Sequence, residues 1–390
     1  MSLNILIFTA RFLPQSGGVQ TYVALLAAGL TALGHRTAVA TESGAAGFDD
    51  GQFSFPVRRR PGLLRLWRMI GNADVLQLAG PAFLPLMLGL LRRKPIVMEH
   101  HGYQAICPNG LLLYQPDQTV CPGHFMAGSY QKCLRCVAVP DGWFSSLGQL
   151  LRTFPRHWMC RQIAMNKPIT RHVLNRLDLP RSRVIYYGIP DVPTGSQLLA
   201  SISSAPLCFA YVGRLVAEKG LPLLVEAADR LRQRSYDFRL KLIGDGPERA
   251  RLEQMVAERG LAEKVTFAGV LVGQALQRAT GDVAAVVMPS IWEETAGLAA
   301  IEQMMRGRLV IAADIGGLGE VVDDAGLKFE PGNVEQLASC MQRVIEDPTL
   351  VSTVGACARR RCLDLFRESQ MIDNHVAAYR QVVEAKQHTC

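Results

Sequence analysis

Short apolar segments alternate with longer segments of helical periodicity throughout this chain, and this alternation restricts its fold more than any other feature. Asn4 to Thr9 is an apolar run typical of a strand, Tyr22 to Leu33 carries apolar residues at helical spacing, and Arg36 to Thr41 alternates like a second strand. Strands that alternate with helices pair in parallel and form doubly wound sheets. The first part of the chain is therefore predicted to be an α/β domain of the Rossmann-like type.

The same alternation starts again in the second half of the chain. Pro190 to Pro206 is rich in Pro, Ser and Gly, which is typical of a linker, and Cys208 to Val212 is the next strand-like run. A chain of 390 residues is long enough for two domains. The sequence predicts Rossmann-like domains at 1–195 and 205–365, followed by a C-terminal segment, 366–390. In such a pair, the expected ligand site is the cleft across which the domains face each other, at the carboxyl ends of the strands.

Composition and charge exclude several classes of protein. Apolar residues make up 49% of the chain and charged residues 19%, which excludes a disordered chain. No apolar run approaches the roughly 18 residues of a membrane-spanning helix. The first charge, Arg11, follows the first apolar run, whereas a secretory signal carries its charge first, so the sequence predicts a cytoplasmic protein.

The net positive charge is concentrated in the N-terminal half of the chain. Residues 1–195 hold 20 lysines and arginines against 9 aspartates and glutamates. Such a charge suits nucleic acid, an anionic membrane surface or a phosphorylated substrate. No nucleic-acid-binding motif accompanies it, so no nucleic-acid partner is predicted.

Two glutamates, Glu294 and Glu302, stand on either side of Gly297. A loop that ends near Gly297 and a helix that starts there would leave the N–H groups of Gly297, Leu298 and Ala299 free for phosphate oxygens. Glu302 could then hydrogen-bond a ribose diol, and Glu294 could bind the hydroxyls of a sugar. The alternative is structural, because acidic residues near a helix start are common and suit the helix dipole.

Two further loops carry groups suited to phosphate. The sequence GRLVAEKG places Arg214 and Lys219 after a predicted strand, where Arg can grip a diphosphate with two hydrogen bonds and Lys adds a point charge. Gly17 and Gly18 precede the first predicted helix and would let backbone N–H groups approach a phosphate. The alternatives are solvated charges and an ordinary tight turn.

Two common cofactor patterns are incomplete or missing. GDGP at 244–247 is similar to half of a dinucleotide fingerprint, but Arg249 stands in place of its third glycine, which disfavours a nicotinamide enzyme. No Asp-X-Asp triplet occurs in the chain, so the simplest way of holding a divalent ion on a nucleotide diphosphate is missing. We therefore predict that no cofactor is required for catalysis.

Taken together, these motifs resemble those of glycosyltransferase family 4, which consists of retaining enzymes of GT-B fold that use nucleotide-sugar donors. The resemblance covers nearly all of the chain. It depends on the order and spacing of seven features, which are SGGVQTYV (16–23), HHG (100–102), VIYYGIPD (184–191), GRLVAEKG (213–220), GDGP (244–247), the Glu294/Glu302 pair and IGGLGEVV (315–322).

The resemblance implies a role for each predicted site residue. It implies that Glu302 holds the ribose, Glu294 the transferred sugar, and the Leu298 backbone the phosphate, and that backbone contacts around Val270 select the base. His101 would lie at the reaction centre. The implied donor-binding residues are Gly17, Gly18, Arg214, Lys219, Val270, Glu294, Gly297, Leu298 and Glu302. The implied catalytic residues are His101, Glu294, Arg214 and Lys219.

This resemblance implies that the protein transfers a sugar from a nucleotide-diphosphate sugar to a hydroxyl of a glycan or lipid-linked acceptor, with retention at the anomeric carbon. It implies a role in the biosynthesis of cell-surface polysaccharide or glycolipid. A C-terminal helix at about 370–386 would cross back onto the first domain. The chain departs from relatives at Ala296, where an aromatic residue is usual, and at Gly102, where an acid is usual. Two alternatives therefore remain, a sugar-nucleotide epimerase of GT-B fold and a non-catalytic relative that binds a nucleotide sugar or acts as a scaffold.

Four cysteines, Cys107, Cys121, Cys133 and Cys136, fall within thirty residues and end in CLRC. C-X2-C is a metal-ligand spacing, and four thiolates would complete a tetrahedral structural zinc site. Some family 4 relatives carry a similar CP…C…CxxC insert, and we assign this chain to that subgroup. Free thiols and an iron–sulfur or redox role are the alternatives.

The stretch from Arg58 to Ile70 combines arginines with leucines and Trp67. Such a basic amphipathic stretch could rest on the anionic inner face of a membrane, where lipid-linked acceptors lie. The alternative is a helix that packs its apolar side on the sheet and leaves its arginines in water.

Overall fold

The structure is a computed structural model that describes residues 2–15, 17–45, 47–192 and 206–387. Most of the linker predicted at 190–206, and Ser16 of the glycine-rich motif, lie outside these ranges. The chain divides into two compact units. Unit 1 comprises Met1–Asp117, Cys121–Pro190 and Arg367–Cys390, and unit 2 comprises Gln118–Val120 and Asp191–Phe366.

Unit 1 is built on a six-stranded parallel sheet of order β3-β2-β1-β4-β5-β8. Its strands are β1 (Asn4–Thr9), β2 (Arg36–Thr41), β3 (Val57–Arg59), β4 (Val75–Ala79), β5 (Ile96–His100) and β8 (Met165–Pro168). The short strands β6 (Leu113–Tyr114) and β7 (Thr119–Val120) come between β5 and β8 in the sequence. The helices are α1 (Gly18–Ala32), α2 (Leu63–Asn72), α3 (Phe83–Leu91), α4 (Tyr130–Asp141), α5 (Trp143–Cys160), α6 (Arg171–Leu177) and the C-terminal α14 (Glu368–Gln387).

Unit 2 repeats this plan with a parallel sheet of order β11-β10-β9-β12-β13-β14. Its strands are β9 (Leu207–Val212), β10 (Phe238–Ile243), β11 (Val265–Gly269), β12 (Val283–Met288), β13 (Leu309–Ala313) and β14 (Leu327–Phe329). Its helices are α7 (Leu221–Gln233), α8 (Arg249–Glu258), α9 (Gly273–Ala279), α10 (Leu298–Met305), α11 (Gly316–Val322), α12 (Val334–Glu346) and α13 (Thr349–Leu365).

The strand sequences explain why both sheets are parallel and covered on both faces. All six residues of β12, VAAVVM, are buried, and β13 is buried throughout. Continuous apolar strands of this kind occur where helices cover both faces of a sheet. The strand order reverses between β1 and β4 in unit 1 and between β9 and β12 in unit 2, and ligands bind beyond the carboxyl ends of the strands at such switch points. The prediction of two Rossmann-like parallel sheets is confirmed.

The C-terminal helix α14 is part of unit 1 and packs closely against α1. A Cβ atom built on Gly29 would lie 2.1 Å from the side chain of Ile372, so a larger residue there would displace Ile372 where the two helices meet. At the start of α14, Arg367 forms a β-bridge with Ile189. No helix in the described ranges is long and apolar enough to cross a bilayer.

Candidate active site

In unit 2, the predicted donor-binding residues lie on loops that follow the carboxyl ends of neighbouring strands. Two of these loops, GRL after β9 and GDGP after β10, pack closely against each other. Leu215 N donates to Asp245 O at 2.9 Å, and a Cβ atom on Gly244 would lie 1.8 Å from Gly213 O. A Cβ atom on Gly246 would lie 2.2 Å from Leu215 O. The glycines of GDGP are therefore explained by the close approach of two loops, a role that the half-fingerprint did not reveal.

Lys219 and Glu294 form a buried ion pair in unit 2. The distance between Lys219 Nζ and Glu294 Oε1 is 2.8 Å, and the side chains are 14% and 5% exposed. Ser290 Oγ donates to the same carboxylate oxygen, and Lys219 Nζ lies 5.7 Å from the centre of the Trp292 ring. The structure thus brings together a predicted phosphate-binding cation and the predicted sugar-binding carboxylate, each held in position by the other.

Helix α10 begins where the glycine and glutamate spacing predicts. Gly297 caps the helix with a φ of +73°, a conformation that favours glycine, and no side chain caps the helix start. The first N–H groups of a helix have no partner inside it, so they are available to an anion. Gly316 is held against the same loop, because a Cβ atom there would lie 2.7 Å from Glu294 O. Gly317 N donates to Glu294 O at 2.6 Å, which fixes the backbone of the loop.

Glu302 lies one turn inside α10 and is half-buried. In the described part of the chain its carboxylate has no hydrogen-bond or ion-pair partner. Burial raises its pKa, and the Arg306 guanidinium opposes this shift without cancelling it. A half-buried carboxylate without a partner is costly unless a ligand supplies the hydrogen bonds, and a diol supplies two.

Arg214 and Val270 lie on more open parts of the same edge of unit 2. The Arg214 side chain is 72% exposed and approaches Glu218 at 3.5 Å, and Val270, directly after β11, is 64% exposed. Both are accessible to a ligand.

The remaining predicted site residues lie in unit 1. Gly17 caps α1 and Gly18 is its first residue; this helix start has neither a side-chain cap nor an acidic residue in its first turn. His101 directly follows β5, at the carboxyl end of the first sheet.

Both ring nitrogens of His101 have partners inside unit 1. Nδ1 lies 2.6 Å from the hydroxyl of Tyr187, and Nε2 lies 3.0 Å from Glu99 Oε2. The rings of His101 and Tyr187 also stack, with centroids 5.6 Å apart. An ionised Glu99 only accepts hydrogen bonds, so His101 donates through Nε2 and its orientation is fixed.

Glu99 is the centre of a buried polar cluster that sequence reasoning missed. Its Oε1 lies 2.6 Å from Lys167 Nζ and 3.0 Å from His375 Nε2, and it accepts a hydrogen bond from Tyr22. Burial alone would raise the pKa of Glu99, but Lys167 and the hydrogen bonds from His101 and His375 outweigh it and hold the pKa well below its usual range. The cluster joins β5, β8, α1 and α14 around the base of His101.

The neighbouring histidine, His100, has a structural role. It is fully buried at the end of β5, and its Nε2 lies 2.9 Å from Asn166 Oδ1. Burial lowers its pKa to about 4, so it stays neutral near pH 7.

The four cysteines of the insert are buried thiols in unit 1. Cys107, Cys121, Cys133 and Cys136 line one cavity of about 10 Å³, which is about the space of a single water molecule. Asn109 contacts two of them, accepting from Cys107 Sγ at 3.0 Å and donating to Cys136 Sγ at 3.1 Å. Burial raises the pKa of Cys107 to about 11 and that of Cys133 to about 12. No group of three or more His, Cys, Asp or Glu side chains in the described ranges is placed to hold a metal ion, so zinc stays a prediction.

Comparison with known proteins shows which families the chain is similar to. Residues 16–191 match the family model described as Glycosyltransferase Family 4, and residues 201–361 match the model described as Glycosyl transferases group 1. The 2-deoxystreptamine glucosyltransferase of Streptomyces kanamyceticus is 34% identical over 175 residues, which are 44% of this chain and 45% of that protein. The chain therefore spans about half the length of this relative.

Two further similarities extend over most of the chain. A phosphatidylinositol N-acetylglucosaminyltransferase subunit of Arabidopsis thaliana is 25% identical over 364 residues, covering 89% of this chain and 76% of that protein. The crystal structure of Anabaena HepE in complex with UDP aligns with a TM-score of 0.73 at 17% identity, covering 97% of this chain and 100% of that one. At this identity the likeness concerns the fold alone, and it confirms the predicted GT-B fold class.

Proposed function

Because the chain belongs to the GT4-type glycosyltransferases, we propose that it moves a sugar from a nucleotide-diphosphate sugar to a hydroxyl of a glycan or lipid-linked acceptor, with retention at the anomeric carbon. The observation that carries the proposal is Glu302, a half-buried carboxylate without a partner in the described residues, one turn inside a helix whose first N–H groups are free. The Lys219–Glu294 pair lies on the loops beside that helix start. These are the groups needed to hold a ribose, a diphosphate and a sugar.

In the proposed reaction, the acceptor hydroxyl attacks the anomeric carbon from the side of the departing diphosphate. The bond between the anomeric carbon and the phosphate oxygen breaks, a bond to the acceptor oxygen forms, and the acceptor proton passes to the leaving phosphate. The enzyme therefore has to stabilise charge that develops on the diphosphate. Arg214, Lys219 and the N–H groups at the start of α10 would do so.

The buried ion pair suggests how Glu294 can bind a neutral sugar. Lys219 and Ser290 both engage Oε1 of Glu294. The second oxygen, Oε2, is directed towards Gly297, since a Cβ atom there would lie 3.7 Å from it. We infer that Oε2 accepts hydrogen bonds from sugar hydroxyls while Oε1 stays paired, so one carboxylate couples sugar binding to the phosphate-binding lysine.

The test is turnover of donor by the purified chain. UDP-, GDP- and ADP-glucose would each be incubated with the purified chain and a glycolipid extract, and nucleoside diphosphate release and transfer of labelled sugar would be measured. Glu294→Gln should reduce kcat/KM by roughly 10²–10³, the loss typical of removing one preorganised transition-state contact. Glu258→Gln, on the exposed side of α8, is the matched control and should leave turnover unchanged.

The same assay separates the two alternatives. Conversion of the donor sugar into its epimer without transfer would identify the epimerase. Absence of turnover with every donor, together with intact nucleotide binding, would identify a non-catalytic relative. The relatives described above are named as transferases, and these names favour transfer over both the epimerase and the non-catalytic alternative.

We also propose that unit 1 rests on an anionic membrane surface, through α5 rather than through the stretch from Arg58 to Ile70. In that stretch, α2 buries Leu66 and Ile70 on the sheet, which agrees with the structural alternative. Helix α5 instead exposes an apolar stripe of side chains at helical spacing. The stripe comprises Trp143, Phe144, Leu147, Leu151, Phe154 and Trp158, which are 40–98% exposed.

The surroundings of this stripe favour a lipid surface. Residues 130–161 hold five basic residues and one acidic residue, and tryptophans stand near both ends of the helix. Amphipathic helices of this composition lie in the interface of anionic bilayers. Arg156 Nη1 donates to Gln104 O, so the last turn of α5 contacts the loop that follows His101. Sedimentation with phosphatidylglycerol vesicles tests the proposal: the Trp143→Gln/Trp158→Gln variant should stay in the supernatant, and equal sedimentation of variant and wild type would contradict it.

A further inference from the structure

A second cavity in unit 1 lies at the edge of the sheet opposite to His101. It has a volume of about 690 Å³ and includes Pro95 and Met165, which stand at the amino ends of β5 and β8. His101 follows the carboxyl end of the same strand β5, which is five residues long, so the two places are separated by roughly 15 Å of strand. The cavity is therefore distinct from the candidate active site in unit 1.

The lining of this cavity is strongly basic. Fourteen residues line it, and none of them is acidic. Its cations come from the α3–β5 loop, from the segment after α6 and from the last turn of α14. They are Arg93, Lys94, Arg181, Arg183 and Lys386.

These five charges are not compensated by ion pairs. Within the described ranges, no carboxylate lies within 4.0 Å of any of them. The contacts that two of them make are to neutral carbonyls: Lys94 Nζ donates to Ala73 O and Arg181 Nε donates to Ile163 O, both at 2.7 Å. Burial and the charge of Lys386 lower the pKa of Lys94, and the charge of Asp74 opposes this shift without cancelling it.

Two of the five cations have a backbone conformation that is unfavourable for residues other than glycine. Arg93 and Arg181 have φ angles of +49° and +53°, in the left-handed region that favours glycine. Arg93 follows the C-terminal end of α3, where its N–H donates to Leu90 O and the next N–H donates to Gly89 O. Glycine is the usual residue at that position of a helix end. Two arginines stand where an uncharged glycine would be easier to accommodate.

We propose that this cavity is a binding site for a phosphate-bearing polyanion, separate from the sugar-transfer site and independent of the function proposed above. Five cations without ion pairs around an open cavity suit a ligand with at least two phosphate charges, because charge-assisted hydrogen bonds from Arg and Lys are strong to phosphate oxygens. The volume falls within the range of small-ligand sites. The same chemistry is offered by a free phosphate compound and by the headgroup of an anionic phospholipid.

The test uses inorganic pyrophosphate as the soluble probe and vesicles with phosphatidic acid as the lipid probe. Arg93→Gly/Arg183→Gln removes two of the cations, and glycine at 93 suits the observed φ, so the fold should be kept. Arg60→Gly is the matched control, because Arg60 also has a positive φ, +45°, and does not line the cavity. Melting temperatures of the three proteins establish that all are folded.

Binding is located by acylation of lysines, read by mass spectrometry. Pyrophosphate should protect Lys386 and Lys94 from acylation but should not protect the exposed Lys132. In calorimetry, the affinity for pyrophosphate should fall at least tenfold in the double variant and should be unchanged in Arg60→Gly. Protection by vesicles and not by pyrophosphate would assign the lipid headgroup as the source of the phosphate. Equal acylation of Lys386 with and without either probe, or equal loss of affinity in the control, would overturn the proposal.

Discussion

Replacing Lys167 with methionine would remove the cation from the centre of the buried cluster in unit 1. Lys167 Nζ and Glu99 Oε1 are 2.6 Å apart and both side chains are fully buried. Removing one partner of such a pair leaves an uncompensated buried charge, which costs about 3–5 kcal/mol of the free energy of unfolding. For a folding unit of about this size, that corresponds to a fall in Tm of roughly 6–20 °C.

The pH dependence of this loss follows from the pKa of Glu99. In the wild type that pKa lies well below its usual range, so the cluster stabilises the fold above the pKa of the unfolded chain and loses this contribution as pH falls. Without Lys167, burial is the dominant influence and raises the pKa of Glu99. The loss of stability in Lys167→Met should then be largest near pH 7 and should shrink as the pH falls, because Glu99 of the variant takes up a proton while Glu99 of the wild type stays ionised.

Urea unfolding of unit 1, followed at pH 7 and at pH 4.5, measures both effects. Lys241→Met is the matched control: Lys241 pairs with Asp282 at the same distance, 2.6 Å, but the two side chains are 23% and 30% exposed. An ion pair of that exposure contributes up to about 1 kcal/mol. Adding Glu99→Gln to Lys167→Met should restore most of the stability. Equal losses for the two lysine variants, or a loss that grows as pH falls, would refute the reasoning.

Further predictions concern other parts of the chain. If the insert binds structural zinc, elemental analysis should find one equivalent of zinc in the wild type and none in Cys136→Ser. Cys160→Ser is the control and should keep its zinc, because Cys160 is a buried cysteine outside the small cavity. Wild-type protein without zinc would contradict this prediction. Donor affinity should fall on acidification through the raised pKa of Glu302, because a diol donates its hydrogen bonds to the ionised carboxylate; an affinity that is constant over this range would contradict that role. Gly316→Ala should lower the Tm and weaken donor binding together, because its Cβ atom would collide with Glu294 O; unchanged values of both would contradict the packing argument.

Features that depend on neighbouring residues could be predicted from the sequence. The alternation of strands and helices reflects the periodicity of buried side chains, and it predicts both sheets. The start of α10 at Leu298 could also be predicted, because Gly297 adopts the positive φ that ends the preceding loop. In both cases the physical cause lies within a few residues of its effect.

Features that depend on residues far apart in the sequence could not be predicted. Glu99 meets Lys167 and His375 across 68 and 276 residues, and no periodic pattern marks such a meeting. The two cations Arg93 and Lys386 likewise come to one cavity from distant segments. The stripe on α5 has the spacing of a core-facing helix, and only the tertiary structure reveals that residues such as Trp143 are exposed.

The most direct test of the central claim, that unit 2 holds a nucleotide-diphosphate sugar, is thermal stabilisation by UDP, GDP and ADP with and without EDTA. One of the three nucleotides, at 100 times its Kd, should stabilise the wild type by about 2.7 kcal/mol. The shift should persist in EDTA and in Glu258→Gln and be lost in Glu302→Gln. If no nucleotide shifts the wild type, or if Glu302→Gln responds like the wild type, the account of this site is wrong.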